Sequence, residues 1–291
     1  MRGLWRLVKE AYNEWSADNA FRLGASLSYY TVFSIAPLLV LTMTVIGLVF
    51  GQEAAQSEVM SQVRGLMGQE VGATVESMVG GSQSRTSGIF ASLISLVTLL
   101  LGASGVFVEL QDSMNVIWDA PARASAGIWA FIKGRLLSFA MVIGIGFLLL
   151  VSLVLSAALS AMAEYFTPML PEPLSGWMLP AVHFAVSLGV IALLFAVMFK
   201  VLPDVENRWR DVWPGAIITA LLFTVGKFAI GVYLGRSGVA SSYGAAASFI
   251  LLLLWVYYSS LILFFGAELT QVYARRAGAH PAARRPARQA A

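Results

Sequence analysis

The chain has no cysteine, only two histidines, and charged residues make up just 12% of it. The missing thiols exclude disulfides, thiolate nucleophiles and cysteine-ligated metal centres. His183 and His280 stand far apart, and no zinc-protease helix motif, P-loop or nucleophile elbow occurs. No carboxylate cluster falls in a water-soluble stretch, so neither catalysis, cofactor nor metal is expected. Residues 1–22 are too polar for the apolar core of a cleaved leader, and none is expected. The basic tail from Gly278 onward carries no interleaved aromatic residue, so nucleic acid is not an expected partner. No internal repeat is visible, which weighs against the inverted-repeat transporter folds. Soluble domains carry about 25% charged residues, so little of this chain can face water.

What is present is apolar. Hydrophobic residues make up 58% of the chain and mean hydropathy is +0.76. Runs long enough to cross a ~30 Å hydrocarbon layer as helices recur at 24–50, 88–118, 127–161, 178–201, 212–235 and 243–272. The expected fold is all-α: a polytopic bundle of about six transmembrane helices with an outer amphipathic helix segment. The expected organisation is an amphipathic helix over 1–23, a membrane domain over 24–275 and a disordered basic tail over 276–291. In the first segment Leu4, Trp5, Val8, Tyr12 and Trp15 share a helical face. Two readings of it stand: a helix in the lipid interface, or one packed on the bundle. Residues 53–80 place Val59, Val63, Leu66, Met67, Val75, Met78 and Val79 at helical spacing, as one or two amphipathic helices on the outer surface or capping the bundle.

Basic residues orient the bundle. Of the 19 Lys and Arg, Arg64, Arg85 and Arg236 fall in loops on one side and Lys227 falls inside a span. The other fifteen lie on the opposite side, which by the positive-inside rule is cytoplasmic and holds both termini.

Polar groups inside spans are costly and mark candidate sites. The second span carries a stripe of Ser95, Thr98, Gly102, Gly105, Glu109 and Asp112 that ends near Asn115. Glu109 and Asp112 can pair with Lys133 and Arg135 at the start of the third span, or line a polar path. In the fifth span Lys227 shares a face with Trp213, Ala216, Ala220, Thr224 and Gly231, opposite Ile218, Leu221, Leu222, Val225 and Val232. Lys227 lies 14 residues beyond Trp213, roughly 21 Å along a helix, at a depth comparable with His183. It either snorkels outward or lines a pocket with His183 near Tyr243. The sixth span sets Gly244, Ser248, Trp255, Ser259 and Gly266 on one face and Tyr257 and Glu268 on another. The first span aligns Ser26, Tyr30, Phe33, Pro37 and Thr44, with Pro37 placed to kink it.

Several spaced motifs resemble the YihY/virulence factor BrkB family. They are Ala25-Ser26-Leu27-Ser28-Tyr29-Tyr30-Thr31-Val32-Phe33-Ser34-Ile35-Ala36-Pro37-Leu38, Asn115-Val116-Ile117-Trp118, Lys133-Gly134-Arg135, Leu202-Pro203 and Trp213-Pro214-Gly215-Ala216. The series closes with Ser242-Tyr243-Gly244, Trp255-Val256-Tyr257-Tyr258-Ser259-Ser260 and Phe265-Gly266-Ala267-Glu268-Leu269. The resemblance covers roughly residues 5–275. It implies a six-span bacterial inner-membrane protein without a settled activity, with some members linked to serum resistance and envelope phenotypes. It also carries an old ribonuclease label that no residue pattern here supports. The leading expectation is transport or flipping of a lipid, or of an anionic or zwitterionic envelope-related solute. The alternative is a non-transporting envelope scaffold or regulator; a membrane-embedded hydrolase or nuclease ranks third. Membrane lipids are the expected partners, and a homo-oligomer stays open.

The charge asymmetry yields a direct test. Because the chain lacks cysteine, single cysteines report topology without background. Probes placed at 52–81 should label from outside intact cells, and probes at 119–126 and 203–211 only after permeabilisation. Labelling in the reverse sense would overturn the orientation.

Overall fold

A computed structural model describes residues 2–82, 102, 105–120, 144, 172–205, 207–236 and 247–277. All regular elements among them are α-helices: α1 (Arg2–Ala17), α2 (Ala20–Phe50), α3 (Gln52–Met67), α4 (Gln69–Ser82), α5 (105–117), α6 (Glu172–Val201), α7 (Trp209–Arg236) and α8 (Ala247–Arg276). Four of the described helices are long and apolar enough to cross a membrane: Ala20–Leu48, Phe184–Val201, Trp209–Tyr233 and Phe249–Arg276. The protein is an all-α polytopic membrane protein. The third expected span, over 127–161, and most of the second lie outside the described residues, as does the tail beyond 277.

Helix α8 is the hub. It packs along α7, α2 and α1, and touches α4 and α6. Its seam with α7 is built from two glycine–threonine pairs in mirror arrangement. Gly215 of α7 lies against Thr270 of α8, and Gly266 of α8 lies against Thr219 of α7, so closely that a Cβ on either glycine would overlap the facing threonine. Each threonine hydroxyl donates to a carbonyl in its own helix, Thr219 to Gly215 at 2.7 Å and Thr270 to Gly266 at 2.6 Å. The hydroxyls are therefore satisfied without water, and the seam can stay dry. Without a hydrophobic drive between helices in lipid, such small-residue contacts carry association. Farther along the seam Gly226 meets Tyr258 and Ile262.

The same logic seats α5 on α2. A Cβ on Gly102 would stand 3.1 Å from the Pro37 Cγ, and one on Gly105 would stand 3.3 Å from the Ser34 Oγ. The small part of the second-span stripe is thus a helix crossing. Gly24 of α2 similarly faces Leu261 and Tyr257 of α8.

Residues 53–80 form two helices, not one. The chain reverses at Gly51 and breaks at Gly68, with φ of 88° and 86°, a region open to glycine at little cost. Helices α3 and α4 bury Ala55, Val59, Met60, Val71, Val75 and Val79 in a cluster with α2 and with Leu251, Leu252 and Val256 of α8. Their apolar faces are thus consumed inside the protein. Arg64 and Glu76 pair across them.

At the other end of α8, α1 docks through Leu7, Val8 and Ala11 onto Leu269 and Val272, while Trp15 joins the main core. The expected aromatic face is divided: Trp15 is buried, whereas Trp5 and Tyr12 are 71% and 56% exposed. The helix packs on the bundle and still presents rings outward.

The seam predicts the effect of adding one methyl group. Gly215→Ala and Gly266→Ala should each destabilise the protein by about 1–3 kcal/mol, as overpacking does. Gly231→Ala, with no atom within 4 Å of its Cβ position, should gain ~0.5–1 kcal/mol from helix propensity. Reversible unfolding in detergent or lipid measures all three, and equal effects would refute the seam.

Candidate functional site

Two places on this framework gather polar groups. The first is a cleft of about 200 Å³ between α6 and α7. Phe184, Ser187, Leu188 and Ile191 form the α6 wall, and Thr224, Lys227 and Phe228 the α7 wall. The α7 face expected to turn inward does so at Ala216, Ala220 and Thr224, which are buried, while Leu221, Leu222, Val225 and Val232 are exposed. Lys227 sits at the edge of these faces and is half-buried. Its Nζ lies 5.5 Å from the centre of the Phe228 ring, within cation–π range. Phe228 is 66% exposed, and Phe184 and Ser187 are exposed as well, so the cleft is open. Thr224 returns its hydroxyl to the Ala220 carbonyl at 2.7 Å, which leaves the Lys227 ammonium as the donor lining the cleft with charge.

The second place is the junction of α1, α5, α8 and the α6–α7 connection. Asn115 and Asp204 form a two-bond clamp: Asn115 Nδ2 donates to Asp204 Oδ2 and the Asp204 amide donates to Asn115 Oδ1, both at 2.8 Å. Gln111 Nε2 adds a bond to Asp204 Oδ1 at 3.3 Å. Asn207 donates to the Phe199 carbonyl at 3.1 Å and its own carbonyl accepts from Lys200 Nζ. Together these fix the turn that follows Leu202-Pro203. Nearby, Gln271 Nε2 donates to Asp119 Oδ2 at 3.4 Å. Glu268 is completely buried on α8, and its charged neighbours among the described residues are Asp18, Glu14 and Asp119. Outside the buried layer, Arg275 Nη2 donates to Glu10 Oε1 and Glu14 Oε1 at 3.1 Å each, and Arg276 Nε donates to Glu10 Oε2 at 3.1 Å.

The remaining candidates scatter. Tyr30 is exposed on α2, stacked edge-on to Tyr29 at 5.7 Å. Glu109 is half-buried and Asp112 exposed on α5. Trp255 meets Phe223 of α7 edge-on at 6.2 Å, and Ser259 is half-buried. Lys133, Arg135 and Tyr243 lie outside the described residues, so their expected contacts with Glu109, Asp112 or Glu268 do too. His183 belongs to α6 by its backbone, beside Phe184 of the cleft, and its side chain lies outside the described residues. Sequence reasoning did not single out Asp204, Gln111, Asp18, Asp119 or Gln271. Of these, Asp204 directly follows the Leu202-Pro203 motif and could have been flagged by it.

Comparison with known proteins places the chain. It belongs to the virulence factor BrkB family, whose profile matches residues 11–291. A UPF0761 membrane protein of Tolumonas auensis is 30% identical over 85% of this chain and 78% of its own length. A UPF0761 membrane protein of Rhodospirillum centenum is 26% identical over 91% of this chain but 56% of its own length. The chain likewise spans 62% of a relative from Verminephrobacter eiseniae, so these BrkB-family relatives extend well beyond the shared region. A Bacillus subtilis relative with a ribonuclease-like name, YfkH, is 22% identical over 92% of this chain and 95% of its own length. No solved structure matches. The family is one of membrane proteins.

The Glu10 pair makes α1 docking sensitive to acid. The hydrogen bond from Arg276 holds the Glu10 carboxyl below the usual carboxylate range, aided by Arg275. The stabilisation is present above the ordinary carboxylate pKa and is lost as pH falls through the lowered one. Spin labels at Tyr12→Cys and Ala277→Cys should hold a fixed separation at neutral pH and lengthen in acid. Glu10→Gln should shift the distribution toward the longer separation at neutral pH and remove most of the acid step. An acid step unchanged in Glu10→Gln would refute this assignment.

Proposed function

We propose that the protein binds the phosphate or carboxylate head of an envelope-related amphipathic molecule at the Lys227 cleft and moves it across the bacterial inner membrane, with both termini in the cytoplasm. The observation that carries the reading is the cleft itself, a lysine within a membrane-spanning helix backed by a space of about 200 Å³ and flanked by exposed aromatic rings. An ammonium in such a helix is expensive and usually functional. Here it has a hydroxyl-bearing wall at Ser187, and the rings of Phe184 and Phe228 suit an acyl chain beside an anionic head. Snorkelling accounts for a lysine near a membrane surface, but not for the space behind it.

The scaffold alternative has less support. Its basis is the 53–80 segment together with the absence of a recognisable coupling-ion motif in the sequence, and the apolar faces of α3 and α4 are spent on α2 and α8.

Lys227→Met preserves length and removes charge. Purified variant protein should keep wild-type thermal stability while transbilayer movement of a labelled anionic phospholipid in proteoliposomes falls at least tenfold. Lys227→Arg should retain most of it. Unchanged movement in Lys227→Met, or no movement by the wild type for anionic, zwitterionic or neutral lipid, would refute the proposal.

A further inference from the structure

Helix α1 lies across the end of the bundle with each of its sides in a different setting. Its acidic side meets the last turn of α8, where Arg275 binds Glu10 and Glu14 and Arg276 binds Glu10. Its apolar side reaches deeper. Leu7, Val8 and Ala11 cluster with Leu269, Val272, Ile218 and Phe265, and the Trp15 ring stands 6.4 Å from the Phe265 ring. Phe265 precedes Arg275 by about 15 Å along α8. Since α8 is one of the apolar spans from Phe249 to Arg276, α1 straddles the level at which that span leaves the membrane.

The outward face of α1 is ordered along the same direction. At about 100° per residue, Tyr12 and Trp5 fall roughly 160–180° from the Glu10–Glu14 side. They therefore turn back toward the interior of the span. The Tyr12 ring is 5.9 Å from that of Trp15, yet Tyr12 and Trp5 are both exposed. Lys9 and Arg6 fall between the rings and the acids. Both are exposed, and no ion pair among the described residues engages either. From the membrane side outward the helix thus presents rings, then bases, then acids. Helix α7 repeats the rings and bases. The contact of Gly215 with Thr270 sets the start of α7 beside the end of α8. Exposed Trp209 and Trp213, with exposed Arg208 and Arg210, stand at that end too.

We propose that the outward face of α1 binds anionic phospholipid, with Trp5 and Tyr12 seated beneath the headgroups and Lys9 and Arg6 on the phosphates. Rings with a polar edge favour the boundary between hydrocarbon and water, and a helix lying in that boundary pairs them with bases on the water side. The charge of the headgroup decides the class of lipid. A zwitterionic head carries its own ammonium beside the phosphate, whereas an anionic head leaves the phosphate to Lys9 and Arg6. A second copy docked face to face would set these bases against their own kind. The surface is separate from the Lys227 cleft, which lies about 18 Å farther along α7 than Gly215, and it does not depend on transport.

The test uses the full chain in phosphatidylcholine nanodiscs, with a bimane label on Ser16→Cys. Ser16 is exposed on the same face between Trp5 and Lys9 in projection, and the chain has no other cysteine. A small share of phosphatidylglycerol or phosphatidylcholine carrying a nitroxide high on its acyl chain serves as quencher. Both should quench the label, with phosphatidylglycerol effective at a lower share, and high salt should narrow the difference. Arg6→Gln and Lys9→Gln should each reduce the phosphatidylglycerol preference by about fivefold and leave quenching by phosphatidylcholine unchanged. Arg6→Lys combined with Lys9→Arg should retain the preference, which a merely structural role for either side chain does not require. Equal quenching by the two lipids in the wild type would overturn the proposal. So would a label reached by a water-soluble nitroxide and by neither lipid, since the face would then turn to water. Disulfide formation between Ser16→Cys copies in preference to lipid quenching would give the face to a second copy and overturn it as well.

Discussion

The close approach of α7 and α8 through Gly215–Thr270 and Thr219–Gly266 is the constraint on which the remaining arrangement depends. In lipid there is no gain from hiding apolar surface from water between helices, so association rests on how near two backbones can come. The paired glycines set that distance, and the facing threonine side chains fill it. Once α7 is locked to α8, the register along both helices is fixed. Thr224 and Lys227 then turn toward α6, and Glu268, one residue past Ala267 in the core, turns toward α1 and Asp119. Both polar places are positioned by the same seam, at different levels.

Polar side chains survive inside this bundle by three different means. Ser28, Thr31, Thr42, Thr219, Thr224, Ser260 and Thr270 each return a hydroxyl to the carbonyl four residues back. They cost little and ask for nothing from their neighbours. Asn115, Gln111 and Asp204 satisfy one another across two elements and fix the α6–α7 turn. Glu268, the Gln271 carbonyl and Lys227 do neither, since no hydrogen bond within the described protein meets their needs. It is this third group, and not polarity as such, that marks places able to take up a ligand.

The fold was legible where one helix decides its own fate. Hydropathy placed the described spans, and period-3.6 patterns separated the buried Ala216–Ala220–Thr224 face of α7 from its exposed leucines. Glycine was legible only in retrospect: Gly51 sets the amphipathic segment off from α2 and Gly68 splits it, both through positive φ, which no periodicity shows. Contacts between remote segments were not legible. Asp204 meets Asn115 across 89 positions, and Arg276 meets Glu10 across 266. Lys133 and Arg135 were expected within reach of Glu109, Asp112 or the end of the last span near Glu268, and both lie outside the described residues. The described charged neighbours of Glu268 are Glu14 of α1, Asp18 just after α1 and Asp119 just after α5, and no pattern within α8 could specify them. For α1 the sequence left open packing or an interfacial position, and the structure packs Val8 and Trp15 on the bundle while Trp5 and Tyr12 stay exposed.

The charges at the α1–α8 junction are layered by depth, and the layering gives them different work. Glu10, Arg275 and Arg276 sit at the rim, each more than a third exposed. Water and salt screen them there, so each pair adds only modestly to the apolar contacts that hold α1. Glu14 bridges the layers, bound to Arg275 and facing Glu268. Glu268 and Gln271 lie beneath, where screening fails and an unmet acceptor costs most. A rim of matched ions over a floor of unmatched acceptors is a poor design for maximal stability, since an apolar residue at 268 would pack without the penalty. The floor is therefore held by the apolar contacts of Leu7, Val8 and Ala11 with Leu269 and Val272, onto which the rim steers α1.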